Sequence, residues 1–126
     1  GIDVHCLRDP TRGGVAAALN EIALDGGVGI EITESAVPVT DAVAGACELL
    51  GLDPLYVACE GRMIAFLPAP EADRALEVLR AHPLGRQAAR IGTVIEGGPG
   101  TVVLETRLRT RRLLDLLSGE QLPRIC

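Results

Sequence analysis

At 126 residues the chain has the length of one domain and can bury a single core. Its 48% apolar and 23% charged residues exclude a disordered segment, and one Tyr, one Phe and no Trp argue against a platform for stacking single-stranded bases. A net charge of -5 argues against a phosphate-backbone binder, so neither nucleic acid nor, in the absence of a long apolar run, a membrane is expected as partner.

Gly1 to His5 enters patterned sequence without an initiator Met, which predicts a fragment whose upstream domain has been removed. Asp9-Pro10-Thr11-Arg12-Gly13-Gly14 precedes a helical pattern, with Asp9 or Thr11 expected as the cap and Pro10 suited to the first helical position. Val15, Leu19, Ile22 and Ala23 fall on one helix face, and Gly26-Gly27 stop it. Val28, Ile30 and Ile32 alternate with Gly29 and Glu31 as a half-buried strand.

Val37-Pro38-Val39 links to a second helix over Thr40 to Leu50, capped by Thr40 or Asp41 and stopped by Gly51. Its expected buried face is Val43, Ala46, Cys47 and Leu50. Asp53-Pro54 marks a turn. Met63 to Leu67 runs apolar without alternation, which predicts a central strand buried on both faces. Ala72, Ala75, Leu76 and Leu79 mark a third helix, closed near His82-Pro83. Ile91 to Ile95 and Thr101 to Glu105 flank a Gly-rich loop and read as a β-hairpin. Leu113, Leu114, Leu116 and Leu117 predict a last short helix, and the basic run Arg107 to Arg112 is expected to be mostly a solvated helix surface. The fold class is therefore α+β: a mostly antiparallel or mixed four-stranded sheet covered by three to four helices over residues 1–117, followed by a flexible tail, residues 118–126.

Three features carry chemistry. The glycine-rich turn at 9–14 has two readings. It is either an anion site, where the amides of a helix start meet a phosphate with Arg12 as countercharge, or a turn whose glycines only permit close packing. Glu60, between Cys59 and Gly61, is either a partly desolvated carboxylate poised as a base or an exposed acid paired with Arg62. Cys126 ends the chain after Pro123-Arg124-Ile125. Either it is an incidental thiol on a mobile terminus, or it is a carrier thiol on a presented arm, since no His lies near it in sequence to activate it. Cys6, Cys47, Cys59 and Cys126 form no CxxC pair and His5 and His82 stand far apart, so no metal site is expected. Without a signal peptide, a cytoplasmic protein with reduced thiols is the expectation.

Asp-Pro-Thr-Arg-Gly-Gly-Val-Ala at 9–16, Asp-Pro-Leu-Tyr-Val-Ala-Cys-Glu-Gly-Arg at 53–62, Ile-Gly-Thr-Val at 91–94 and the terminal Leu-Pro-Arg-Ile-Cys resemble the C-terminal domain of the HypE family. That family serves [NiFe]-hydrogenase maturation and belongs to the aminoimidazole ribonucleotide synthetase-like superfamily, with selenophosphate synthetase and thiamine monophosphate kinase. The resemblance implies an ATP-dependent carbamoyl dehydratase. A HypF-like carbamoyltransferase would load Cys126, ATP would drive dehydration of the thiocarbamate to a thiocyanate, and cyanide would pass to iron on a HypC–HypD complex. By the same resemblance Glu60 is the base or positions the reacting nitrogen, and Asp9, Thr11, Arg12, Gly13 and Gly14 lie near the nucleotide phosphates. ATP and Mg2+ would be bound mainly by an N-terminal domain that also forms a homodimer. The alternatives are a small-molecule kinase or synthetase-like relative, and a non-catalytic docking domain presenting its tail.

Overall fold

The computed structural model describes residues 1–116, so the expected tail, the domain division at 117/118 and Cys126 lie outside the described residues. Helix α1 (Gly14–Gly26) supplies the centre of the core. Of the expected face, Leu19 and Ala23 are fully buried while Val15 and Ile22 are only partly so, and Ala16, which the spacing did not single out, is fully buried beside them. Gly27, in the left-handed conformation, receives the helix end and donates to the carbonyls of Ala23 and Leu24. Neither Asp9 nor Thr11 caps the start. The N-cap is Gly13 (φ 63°), because the helix starts only at Gly14, past both residues; the Thr11 hydroxyl donates to the Asp9 carboxylate instead.

The chain then turns into β2 (Gly29–Thr33), whose Ile30 and Ile32 face the helix. Strand β2 is central to a four-stranded mixed sheet, lying between β4 (Gly92–Ile95) and β5 (Val102–Glu105), with β6 (Arg111–Leu113) beyond β5. It pairs antiparallel with β4 and parallel with β5. The expected β4–β5 hairpin is therefore wrong, since β2 lies between the two. Their connection must cross two strand spacings, roughly 10 Å, too wide for a tight turn. Gly97, Gly98 and Gly100 take positive φ to make that bridge, and Gly29 leaves room for the Gly97 carbonyl.

The expected final helix is also absent over the described residues. Arg111–Leu113 form β6, antiparallel to β5, with Leu104 opposite Arg112. The hairpin of this sheet is the β5–β6 pair, closed by Thr106 N–H donating to the Thr110 carbonyl (2.8 Å) and by Arg109 at φ 60°. The basic run thus occupies a turn and a strand. Arg111 pairs with Glu31, and Arg112 with Asp53 at 2.9 Å.

Helix α2 (Asp41–Leu50) starts at Thr40, whose hydroxyl accepts from Val43 N–H at 3.4 Å, and stops at left-handed Gly51. Of its expected buried face only Cys47 is buried, whereas Val43 and Leu50 are 45% and 70% exposed. The predicted central strand Met63 to Leu67 is β3 (Ile64–Phe66). Among the described residues it pairs only with β1 (Cys6–Arg8), as a separate two-stranded antiparallel ribbon. Ile64 and Phe66 pack onto the core while Met63 stands 57% exposed, so the apolar run serves one face. Helix α3 (Ala72–Ala81) ends before His82, whose Nδ1 accepts from Leu84 N–H.

Candidate functional site

The site is built on two backbone segments held against each other. Pro10, fully buried, pins the 9–14 turn to the domain, and its carbonyl accepts from Cys59 N–H at 3.1 Å. Gly14 (φ 66°) is buried where a side chain would stand 2.6 Å from the carbonyl oxygens of both Leu55 and Val57. The segment in contact starts at a 3-10 turn, Pro54–Tyr56, in which the Asp53 carboxylate accepts from Leu55 N–H at 2.9 Å and Leu55 enters the core. The fold thus brings the two motifs together, with Asp9 and Thr11 flanking Pro10 and Glu60 following Cys59.

Within the turn the residues divide their roles. Asp9 is exposed and accepts from the Thr11 hydroxyl. That bond, reinforced by Asp9's own backbone N–H, holds its carboxyl below the ordinary carboxylate value. Gly14 is committed to packing. Gly13 is exposed at the helix start, where no side chain caps α1 and no acidic residue stands in its first turn. Amides at such an end have no intrahelical acceptor and favour an anion. Arg12 is exposed beside it.

In the facing segment, burial pushes the Cys59 thiol up, with Arg62 pulling the other way. The thiol donates to Val57's carbonyl at 3.4 Å. Glu60 is exposed, in a bend leading to Gly61 at φ 65°. The described residues therefore do not bury it, contrary to the desolvated position expected for a base. Among the described residues no group of three or more His, Cys, Asp and Glu side chains is placed to hold a metal ion.

Sequence reasoning missed two contributors. Tyr56 donates its hydroxyl to the carbonyl of Asp115 at 2.8 Å, and burial pushes that hydroxyl's pKa up against the pull of Arg112. Asn20, on the core side of α1, donates to the carbonyls of Ala16 (2.8 Å) and Leu114 (2.6 Å). An Asn beside Leu19 on an apolar helix face was the available signal. A cleft of about 560 Å³ lies elsewhere, lined by Thr33, Ser35, Glu105, Thr106, Arg107 and Arg109, and shares no residue with either motif.

Residues 1–105 match the model of the AIR synthase related protein, C-terminal domain. Over 124 residues the chain is 56% identical to the carbamoyl dehydratase HypE of Azotobacter vinelandii, covering 98% of this chain and 36% of the relative. It is 57% identical to the protein of that name from Cupriavidus necator, over 98% of this chain and 35% of the relative. The chain thus spans about a third of the length of these relatives. A crystal structure of hydrogenase maturation protein HypE superposes at a TM-score of 0.91 with 52% identity, over 98% of this chain and 40% of that one. A HypE structure in complex with ATP matches at 0.89 and 49% identity, over 94% and 37% of the two chains. A HypE–HypF complex matches at 0.84 and 41% identity, over 89% and 36%.

Proposed function

From its place in the AIR synthase related protein family, to which the chain belongs as a C-terminal domain, we propose that it is the C-terminal part of a [NiFe]-hydrogenase maturation enzyme. In this reading the enzyme uses ATP to dehydrate a carbamoyl group carried on its own Cys126. The observation that carries the reading is the 3.1 Å bond between Cys59 N–H and the Pro10 carbonyl. It holds the backbone beside Glu60 against the turn that leads into α1, which supports reading the carboxylate and the anion-favouring helix end as parts of one site.

The chemistry assigns each group a task. The thiocarbamate oxygen is a poor leaving group, so it attacks the γ-phosphorus of ATP. ADP departs and one N–H proton is lost. As the C–O bond breaks and inorganic phosphate leaves, Glu60 takes the second N–H proton, and the nitrogen lone pair closes S–C≡N. Exposed on its own domain, Glu60 is desolvated only when substrate and the rest of the protein cover it. Gly13 and Arg12 suit contacts to a nucleotide phosphate. Asp9 and Thr11 hold the turn in shape, and Gly14 seats it. The described residues fit magnesium poorly, having no acidic cluster. Mg2+ and most of the ATP site are assigned to the part of the relatives' length that this chain does not span, as is the homodimer contact.

The name of the HypE–HypF complex supports a HypF-like carbamoyltransferase as the loading partner. A HypC–HypD complex as the cyanide acceptor, and a cytoplasmic location, complete the proposal. No described helix is long and apolar enough to cross a membrane.

Mass spectrometry of the full-length enzyme tests the reading. Carbamoylation adds about 43 Da to Cys126, and ATP converts this to about 25 Da, the masses of CONH₂ and CN replacing H on a thiol. Cys126→Ala should abolish both adducts. Glu60→Gln should load normally and stop at the first. Conversion at the wild-type rate in Glu60→Gln would remove Glu60 from the role of base.

A further inference from the structure

The face of the four-stranded sheet turned away from α1 ends in the polar cleft that neither motif touches. Thr33 and Glu105 are register partners at the carboxyl ends of the parallel pair β2 and β5, and alternation sets them opposite the buried Ile32 and Leu104. The 3-10 turn Glu34–Ala36 supplies one wall through Ser35. The β5–β6 turn supplies the other through Thr106, Arg107 and Arg109. The two walls are tied, since Arg107 N–H donates to the Glu34 carboxylate at 2.9 Å. The Thr106 hydroxyl is committed to the turn by its bond with Thr110. A volume of about 560 Å³ admits a small ligand.

The charges in this cleft are the ones the sheet leaves over. Arg111 is taken by Glu31 and Arg112 by Asp53. Among the described residues the guanidiniums of Arg107 and Arg109 enter no hydrogen bond or ion pair, and neither does the Glu105 carboxylate, although Arg111 is its cross-strand neighbour. Two bases and an acid thus line one cleft without neutralising one another. Arg109 adds a second, independent observation. It is the one non-glycine at positive φ among the described residues, at a hairpin position that suits Gly or Asn. Holding an arginine there costs backbone strain, and no bond of its side chain within the described residues offsets it. We propose that this cleft binds a small phosphomonoester with a neighbouring hydroxyl group, the chemistry shared by sugar phosphates and nucleotides. The two guanidiniums and the hydroxyls of Thr33 and Ser35 offer more donors than the two oxygens of a carboxylate can use. They suit the three terminal oxygens of a phosphate. Glu105 repels a bare anion and accepts from the ligand's hydroxyl, which selects the ester over the free ion. The site shares no residue with the 9–14 turn or Glu60 and does not depend on the function proposed above.

Calorimetric titration of the full-length protein at low salt tests the site, with ribose 5-phosphate, AMP and inorganic phosphate as probes. Ribose 5-phosphate or AMP should bind at least about ten-fold more tightly than phosphate. Arg107→Gln and Arg109→Asn should each weaken that binding by about ten-fold, the scale of one charge-assisted hydrogen bond. Glu105→Ala should erase the preference over phosphate, and high salt should weaken all binding, because both guanidiniums are exposed. Tighter binding of ribose 5-phosphate than of AMP assigns the cleft to free sugar phosphates, and the reverse assigns it to nucleotides. Only the binding that Arg107→Gln removes is counted, which keeps any nucleotide at Gly13 out of the comparison. Arg109→Asn should also melt no lower than wild type, since Asn tolerates the left-handed conformation. A lower melting temperature would show that the arginine serves the fold, and would overturn the inference. Equal affinity for ribose 5-phosphate and phosphate would mean an adventitious ion only and overturns it as well. So does binding that survives both arginine substitutions, or no binding of any probe.

Discussion

Gly14 shows how closely the turn is built on the motif that faces it. Its backbone is left-handed and a side chain would meet two carbonyl oxygens of the 55–57 segment, with no flexible group to yield. Gly14→Ala should cost at least about 2 kcal/mol in chemical denaturation, since a left-handed non-glycine and a backbone clash add. A variant of wild-type stability would show that the two segments can part. Asp9 makes the complementary electrostatic prediction. Its folded-state pKa lies below the unfolded value of about 3.8, so the stability it lends is present above that value and is lost as pH falls through the folded one. Thr11→Val removes the chief cause, and the carboxyl titration followed by NMR should move up towards the ordinary value. A titration that stays put would shift the cause to the backbone bond.

At the scale of elements, α2 is held lightly. Its only buried residue is Cys47, and Leu49 is 89% exposed. Leu49→Gln should therefore change unfolding free energy by less than about 0.5 kcal/mol, while Ile32→Ala in the central strand should cost about 2–5 kcal/mol. The pair of melts distinguishes a surface helix from a core one. The same contrast explains what the sequence could disclose. Helices α1, α2 and α3 and strand β2 were legible because periodicity and glycine stops are local signals. The partner of β4 was not. Ile91–Ile95 and Thr101–Glu105 flank a glycine-rich loop as hairpin strands do, and the claim of Ile30 and Ile32 on both of them is non-local. Leu113, Leu114, Leu116 and Leu117 have helical spacing, but the Thr106–Thr110 turn delivers Arg111–Leu113 to the edge of β5 first. In the site, the turn at 9–14 and Glu60 were readable as motifs. Their contact through Pro10 and Cys59 spans 49 positions and leaves no mark in either motif.

At the scale of the molecule, the proposed reaction asks for more than this domain. The helix end at Gly13, the exposed Glu60 and the Tyr56–Asp115 bond all lie on or near the 9–14 and 53–61 segments, and Gly13 and Glu60 are open to solvent. The isolated chain, given ATP and a carbamoylated peptide of residues 117–126, should release no phosphate above background. Supplying the remainder of the full-length protein should restore release. Turnover by the chain alone would place the whole nucleotide site within it.

The topology also sets a timetable for synthesis. Strand β2 emerges early from the ribosome but finds neither neighbour until much later, since Glu31 pairs with Thr93 on one side and Val103 on the other. Until then its isoleucines can rest on α1 but its backbone has no ladder. Leu114, which completes the core, follows later still. The domain should therefore fold in one late event, with little stable structure until β4, β5 and Leu114 are all available. The long interval with an unpaired, apolar β2 is when this chain is most exposed to chaperones and to aggregation.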